Sequence, residues 1–138
     1  MNGVFRKYYP VWLFFIFVTA CTKPPADLAE NGKSYVQLAQ LVKKQYQTEI
    51  IVNREEVGSK LLKIMEELEI QTISKGQDYI WLRGEDGMSA PRTSYYYYFG
   101  DGEFKPLFDV IEKNEIKLSN DDNAGLSGKW FQVKDAPF

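Results

Sequence analysis

Histidine and cysteine supply much of the nucleophilic and metal-binding chemistry of proteins, and this chain has no histidine and one cysteine, Cys21. Without histidine, neither a Ser-His nor a Cys-His nucleophile pair can form, and no His-bearing zinc site is available. A single cysteine also excludes an intrachain disulfide. The composition therefore excludes most hydrolase chemistry, and an enzyme of this sequence would have to work with carboxylates or tyrosines alone.

Three carboxylate pairs on predicted helices are candidates for acid–base chemistry: Glu55-Glu56, Glu66-Glu67, and Asp109 with Glu112. A glycosidase needs two carboxyl groups roughly 5–10 Å apart across a cleft. No pattern here predicts a cleft, and helix capping or solvated helix faces account for each pair. We predict no catalytic role, with a carboxylate-based enzyme as the contrasting interpretation.

Two polar loops are candidates for binding an ion or a phosphate. Ser119 to Gly125 is similar in composition to a calcium loop, but with Asp121 as first ligand no Glu falls at the twelfth position. Gly84 to Pro91 lacks the spacing of a phosphate loop and remains a candidate recognition loop. We therefore predict a solvated turn at the first loop, no metal site and no cofactor.

The strongest strand signal in the chain is the aromatic run that contains Tyr95-Tyr96-Tyr97-Tyr98. Alternate side chains of a strand point to opposite faces, so Tyr95 and Tyr97 share one face. With Trp81 on a neighbouring predicted strand, one face of the sheet could be an aromatic platform, since tyrosine is enriched at interfaces. We predict Tyr95, Tyr97 and Trp81 as partner-binding residues; the alternative is that one face is core and the other a half-buried sheet surface.

The N-terminal segment has the architecture of a secretory signal. Arg6 and Lys7 precede an apolar run, Val11 to Val18, which is about half the ~20 residues that a transmembrane helix needs. Small residues then lead to Cys21. We predict that the protein is exported. The segment would also fit an ordinary secretory signal followed by a chance cysteine, or a short uncleaved anchor.

Val18-Thr19-Ala20-Cys21 resembles the lipobox of bacterial lipoproteins. The resemblance implies that the Cys21 thiol receives diacylglycerol, that cleavage precedes Cys21, and that the new amino terminus is acylated with a fatty acid such as palmitate. Two or three acyl chains anchor a protein firmly, whereas one holds it only marginally. Thr22 after Cys21 is similar to the outer-membrane class, which places the protein on the periplasmic face if the host is Gram-negative.

These features divide the chain into a signal peptide (residues 1–20), a lipidated cysteine and tether (21–33), and a single domain (34–138). Removal of Arg6 and Lys7 takes the formal net charge from −2 to −4. An acidic surface argues against nucleic acid as a partner. We expect the membrane to be contacted through the lipid at Cys21, and an envelope protein as the further partner.

Hydrophobic periodicity predicts an α+β fold: an antiparallel β-sheet with two to three helices packed on one face. Asn53 to Glu56 has the spacing of a capping box at the start of the second helix. The predicted helices cover residues 34–46, 54–69 and 106–113, and the predicted strands cover residues 48–52, 70–74, 79–83, 93–99, 116–118 and 129–134.

The domain resembles small exported bacterial proteins of unknown function, which share an aromatic mid-chain strand and a C-terminal strand that contains tryptophan. The sequence therefore predicts a lipid-anchored binding or interaction protein of the cell envelope. Two narrower interpretations remain open: an immunity or inhibitor lipoprotein against a toxin or hydrolase, and a carrier of a small apolar ligand. The carrier would require an enclosed pocket lined by the aromatic residues.

Overall fold

The computed structural model describes residues 24–85, 92–106, 110–123 and 125–135. The predicted signal peptide, Cys21 and most of the 84–91 loop lie outside the described residues. Within the described ranges, no helix combines the length and the apolar character needed to cross a membrane.

A six-stranded antiparallel sheet forms the centre of the molecule, with strand order β1-β2-β3-β4-β6-β5. Three helices accompany it, so the α+β prediction is confirmed. The elements are α1 (Gly32–Gln45), β1 (Ile50–Asn53), a 3₁₀ turn (Arg54–Glu56), α2 (Ser59–Glu67), β2 (Thr72–Lys75), β3 (Tyr79–Arg83), β4 (Arg92–Tyr98), β5 (Val110–Ile116), α3 (Asn120–Asn123) and β6 (Lys129–Asp135).

The main core lies between the two longer helices and one face of the sheet. Tyr35, Leu38, Ala39 and Val42 recur at helical spacing on α1, and all four are buried. The apolar stripe of α2 joins the same cluster, together with the side chains that β1, β2, β3 and β4 direct toward the helices. Burying this shared face is what holds the helices on the sheet.

The second helix begins later than the sequence predicted. The Glu56 carboxylate accepts a hydrogen bond from the Asn53 backbone N–H at 3.0 Å, so the predicted capping box forms. It closes only a 3₁₀ turn, and α2 starts after Gly58, which is extended (φ −74°, ψ 169°). Glycine at this position separates the turn from the helix because it carries a high entropic cost in a helix interior.

The predicted helix over residues 106–113 is wrong in its described part, because Val110–Ile116 is strand β5. This strand pairs along its length with β6, and Lys113 lies opposite Val133. Apolar residues in a short run fit either a helix or a strand, and here a distant partner strand decides. The predicted separate strand over 116–118 is likewise absent from the described residues, since β5 ends at Ile116.

The solvated turn predicted over residues 119–125 contains a four-residue helix, α3, and the Ser119 hydroxyl accepts from the Asp122 N–H at 3.1 Å. Folded structure also begins inside the segment predicted as a tether. Leu28 is fully buried in the main core, and the Tyr35 hydroxyl donates to the Ala26 carbonyl at 2.6 Å. The chain is therefore attached to the domain from Ala26 onward.

Candidate functional site

Strand β4 occupies the middle of the sheet, between β3 and β6, and both of its faces are aromatic. Tyr95 lies opposite Leu82 and Gln132, whereas Tyr96 lies opposite Trp81 and Phe131. Paired residues of antiparallel strands share a face. Tyr95 and Tyr97 therefore point toward the helices, and Tyr96 and Tyr98 point away from them.

The structure places Tyr95 and Tyr97 in the main core, where they are 3% and 0% exposed. The Tyr95 ring meets Tyr35 edge-on, with 5.4 Å between centroids, and the Tyr97 ring stacks on Trp130 at 4.8 Å. The Tyr97 hydroxyl donates to the Ser127 carbonyl. Neither side chain offers a surface to a partner, so neither is part of the site proposed below.

Trp81, the third residue of the predicted contact set, lies on the opposite face and is partly exposed. Its ring stacks on Tyr96 at 5.3 Å with an interplanar angle of 13°, and its indole N–H donates to the Ser94 hydroxyl at 2.8 Å. The Arg83 guanidinium lies 4.2 Å from the ring centroid. The structure therefore separates Trp81 from Tyr95 and Tyr97 by the thickness of the sheet.

Trp81 belongs to a second apolar cluster, separate from the main core, which we call the aromatic face. Alternation places its members: Tyr79 and Trp81 project from β3 on the side opposite to Ile80 and Leu82. No residue of the described helices belongs to this cluster. Its members are Tyr79, Trp81, Tyr96, Tyr98, Phe104, Phe131 and Val133.

Phe104 comes from the segment between β4 and β5 and covers the middle of the aromatic face. Its ring stacks on Phe131 at 4.5 Å and leans against Tyr96 at 4.9 Å, with an interplanar angle of 56°. The Lys113 ammonium lies 5.4 Å from the Phe104 centroid and donates to the Phe104 carbonyl at 3.1 Å. A β5 cation and a loop aromatic thus complete a surface that the central strands begin.

The two ends of the aromatic face differ in charge. At one end Arg83 and Arg92 approach Asp135, whose pKa is raised by burial despite the opposing effect of both arginines. At the other end a pocket of about 170 Å³ opens between the start of β3, the end of β4 and the Phe104 segment. We call it the tyrosine pocket; its lining residues are Asp78, Tyr79, Tyr96, Tyr98, Glu103, Phe104 and Lys105.

A second pocket of about 210 Å³ lies elsewhere and is lined by Arg54, Glu66, Glu69 and Glu85. It has no aromatic wall, and the Arg54 side chain is already engaged, since its Nε donates to the Ile70 carbonyl at 2.7 Å. Solvated charged side chains of this kind offer little that would hold a specific ligand. The tyrosine pocket is therefore the better candidate site.

The titratable groups with shifted pKa values include tyrosines of the main core. Burial raises the pKa values of Tyr35 and Tyr95, so both hydroxyls stay protonated near neutral pH. Within the described ranges, no group of three or more cysteine or carboxylate side chains is arranged to hold a metal ion. What the aromatic face offers chemically is contact area, ring faces and charges at its margin.

Sequence reasoning missed three contributors to this surface: Phe104, Phe131 and Lys113. Phe131 could have been assigned from alternation with Trp130 along the last strand, had the partner strand been known. Lys113 was placed on a helix, and Phe104 lies between elements, where no periodicity indicates which way a side chain points.

Comparison with known proteins does not add to this description, because the chain matches no protein-family model, no curated protein and no solved structure.

Proposed function

We propose that this protein is a lipid-anchored, non-catalytic binding protein of the bacterial cell envelope, and that it contacts a partner protein through the aromatic face around Trp81. The observation that carries the proposal is a partly exposed tryptophan on a sheet face to which the described helices contribute nothing. Tryptophan dominates the energy of many protein interfaces because it buries a large area at a low entropic cost.

Trp81 is held in place before any partner arrives. The Tyr96 ring supports it from one side, the Ser94 hydroxyl fixes its N–H, and the Arg83 guanidinium packs against its ring. A side chain that is already ordered loses less entropy on binding, which favours affinity. Trp81 would therefore act as a preformed anchor.

Ile51 extends the same surface toward the edge of the sheet. It lies opposite Ser74, which in turn lies opposite Trp81, so the three side chains share one cross-strand row. Ile51 is 65% exposed and is the one exposed large hydrophobic side chain among the described residues. A partly exposed tryptophan and an exposed isoleucine in the same cross-strand row are the kind of apolar side chains expected at the centre of an interface.

The anchoring part of the proposal rests on the lipobox resemblance at Cys21 and on the early start of the folded domain. Only four residues, 22–25, separate Cys21 from Ala26, whose N–H donates to the Leu68 carbonyl at 2.8 Å. The five Cα–Cα steps from Cys21 to Ala26 span at most about 18 Å. The domain of an anchored chain would therefore stay close to the bilayer surface, and so would its partner.

Metabolic labelling with palmitate tests the anchor. The wild-type chain is expected to incorporate label and to lose residues 1–20, and Cys21→Ser is expected to do neither. Labelling of Cys21→Ser at the wild-type level would contradict the assignment.

Cross-linking in intact cells, followed by reconstitution with the purified partner, tests the binding role. Trp81→Ala should abolish a stoichiometric complex that the wild-type chain forms. Tyr46→Ala removes a partly buried tyrosine on the helix side and should leave the complex intact. A complex that survives Trp81→Ala in a folded protein would overturn the proposal.

A further inference from the structure

Four aromatic side chains line the tyrosine pocket, and we call them the cage: Tyr79 is partly exposed, whereas Tyr96, Tyr98 and Phe104 are 1%, 9% and 4% exposed and present only part of each ring to it. The Tyr79 and Tyr96 rings are inclined at 45° with 5.9 Å between centroids, and Tyr98 is inclined to Phe104 at 51° with 5.5 Å between centroids. Rings at such angles form adjoining walls, whereas the pairs behind them, Trp81 on Tyr96 and Phe104 on Phe131, are nearly parallel stacks. The cage is therefore supported from behind by further aromatic rings.

Close backbone packing fixes the walls in position. The Tyr79 ring lies against Gly76, where there is no room for a Cβ atom. The Tyr98 hydroxyl donates to the Asp101 carbonyl at 3.0 Å, and the Phe99 N–H donates to the Asp78 carbonyl at 2.8 Å. A site held in this way needs little rearrangement to bind a ligand.

The charges at the mouth of the pocket favour a cation. Asp78 and Glu103 line it together with one cation, Lys105, so the lining carries one net negative charge. Burial and the nearby carboxylates of Glu49 and Asp78 raise the pKa of Tyr79, which is the direction expected where the local field is negative. An anionic ligand would be repelled.

The size and chemistry of the walls restrict the cation further. A volume of about 170 Å³ is below the ~300 Å³ at which pockets begin to enclose drug-sized ligands. Among the described residues no three carboxylate side chains are grouped to hold a metal ion, and a primary ammonium is strongly hydrated and carries three N–H donors that ring faces do not satisfy. A quaternary ammonium has no donor, is weakly hydrated, and is attracted to ring faces.

We propose that the tyrosine pocket binds a trimethylammonium group, with Tyr79, Tyr96, Tyr98 and Phe104 as its walls and Asp78 and Glu103 as the attracting charges. This inference goes beyond the contact proposed for Trp81 and does not depend on it, since Trp81 does not line the pocket. The group could belong to a soluble choline-type compound or to a lipid headgroup, and the two sources share the same recognition chemistry.

Calorimetric titration of the full chain in dodecyl maltoside tests the proposal, because that detergent carries no ammonium group. Choline is compared with its uncharged isostere 3,3-dimethylbutan-1-ol, which has the same shape. Choline is expected to bind saturably and about two- to thirtyfold more tightly than the isostere, since cation–π contacts contribute about 0.5–2 kcal/mol and 1.4 kcal/mol is tenfold. Equal affinity for both compounds, or no saturable binding of choline, would overturn the proposal.

Three variants locate the binding site. Tyr79→Leu keeps the bulk of a partly buried wall but removes its ring, and should weaken choline binding about tenfold. Asp78→Asn changes only the charge and should weaken it severalfold. Tyr46→Leu makes the same change as Tyr79→Leu on the helix side and should bind choline as the wild type does. Unchanged affinity in folded Tyr79→Leu and Asp78→Asn would place choline elsewhere and overturn the proposal.

Competition by vesicles identifies the source of the group. Phosphatidylcholine vesicles should displace choline if a lipid headgroup reaches the pocket, and phosphatidylglycerol vesicles should not. If neither kind of vesicle displaces choline, the ligand is a soluble choline-type compound. A partner complex that survives Trp81→Ala, together with intact choline binding, would contradict the proposed function and leave this inference standing.

Discussion

Glu69 has a φ of 59°, the one positive φ among the described non-glycine residues. It follows the end of α2, where the Ile70 N–H reaches back to the Met65 carbonyl at 2.8 Å and closes the helix. This helix end requires a left-handed residue, which glycine adopts without strain, whereas other L-residues pay roughly 1–2 kcal/mol.

Glu69→Gly should therefore be more stable than Glu69→Ala by about 1 kcal/mol, because both variants lose the carboxylate and only glycine relieves the backbone. Urea unfolding followed by circular dichroism measures the difference. Equal midpoints for the two variants would show that the helix end tolerates a β-carbon at no cost.

Tyr97 is fully buried and stacks on Trp130, so its side chain should contribute to stability and not to binding. Tyr97→Ala is expected to lower the free energy of unfolding by about 3–5 kcal/mol, the usual cost of removing a buried aromatic ring. Chemical denaturation provides the measurement. Ile51→Ala, at a side chain that is 65% exposed, should change it by less than about 0.5 kcal/mol. A loss below about 1 kcal/mol for Tyr97→Ala would mean that the ring is not a core element.

Among the elements, the sequence predicted well those whose signal is local. The β2–β3 hairpin and β4 were predicted within two residues of their bounds, because β-branched and aromatic alternation and the turn at Gly76 are readable without context. Strand β5 was misread because its pairing with β6 is a long-range interaction. The sequence did not show that Tyr95 and Tyr97 are buried for a related reason: both faces of β4 are aromatic, and only the position of the helices decides which face is core.

Helix α2 lacks an efficient start. Its N-cap is Gly58, which is exposed and extended, and the first turn carries no acidic residue. A Cβ at this position would meet no atom within 4 Å. The sequence places its capping box five residues earlier, at Asn53, where it serves the 3₁₀ turn.

Gly58→Asp should therefore raise stability by about 0.5–1 kcal/mol, since aspartate caps the free N–H groups and its charge opposes the helix dipole. Thermal unfolding compares it with Gly58→Ala, which offers no acceptor and should not be stabilised. A gain for alanine as large as that for aspartate would mean that capping is not the cause.

At the scale of the whole molecule, burial of tyrosines on both sides of the sheet makes folding sensitive to alkali. The pKa values of Tyr35, Tyr79, Tyr95 and Tyr97 are all raised, with burial as the largest cause. Above pH ~10 the unfolded chain loses these protons while the folded chain keeps them. The unfolded state then binds fewer protons, so the free energy of unfolding falls as pH rises through the unfolded pKa.

Tyr35→Phe should flatten this decline. One such group contributes a slope of about 1.4 kcal/mol per pH unit above pH ~10, and phenylalanine does not ionise. The variant should be less stable at neutral pH by about 1 kcal/mol, because it loses the hydrogen bond to the Ala26 carbonyl. Urea unfolding at a series of pH values from about 9 upward gives both the slope and the difference in stability. If the free energy of unfolding falls equally steeply with pH in the wild type and in Tyr35→Phe, ionisation of Tyr35 does not contribute to the decline.

Sheet order and chain order differ at one place: β6, the last strand to be synthesised, lies between β4 and β5. Until Lys129–Asp135 emerge, β1 to β4 can pair, but their growing sheet ends at the most aromatic strand of the chain. An open aromatic edge is a template for pairing with other chains. A product that stops short of Lys129 would thus expose the edge of a four-stranded sheet, and we expect it to aggregate more readily than the full chain.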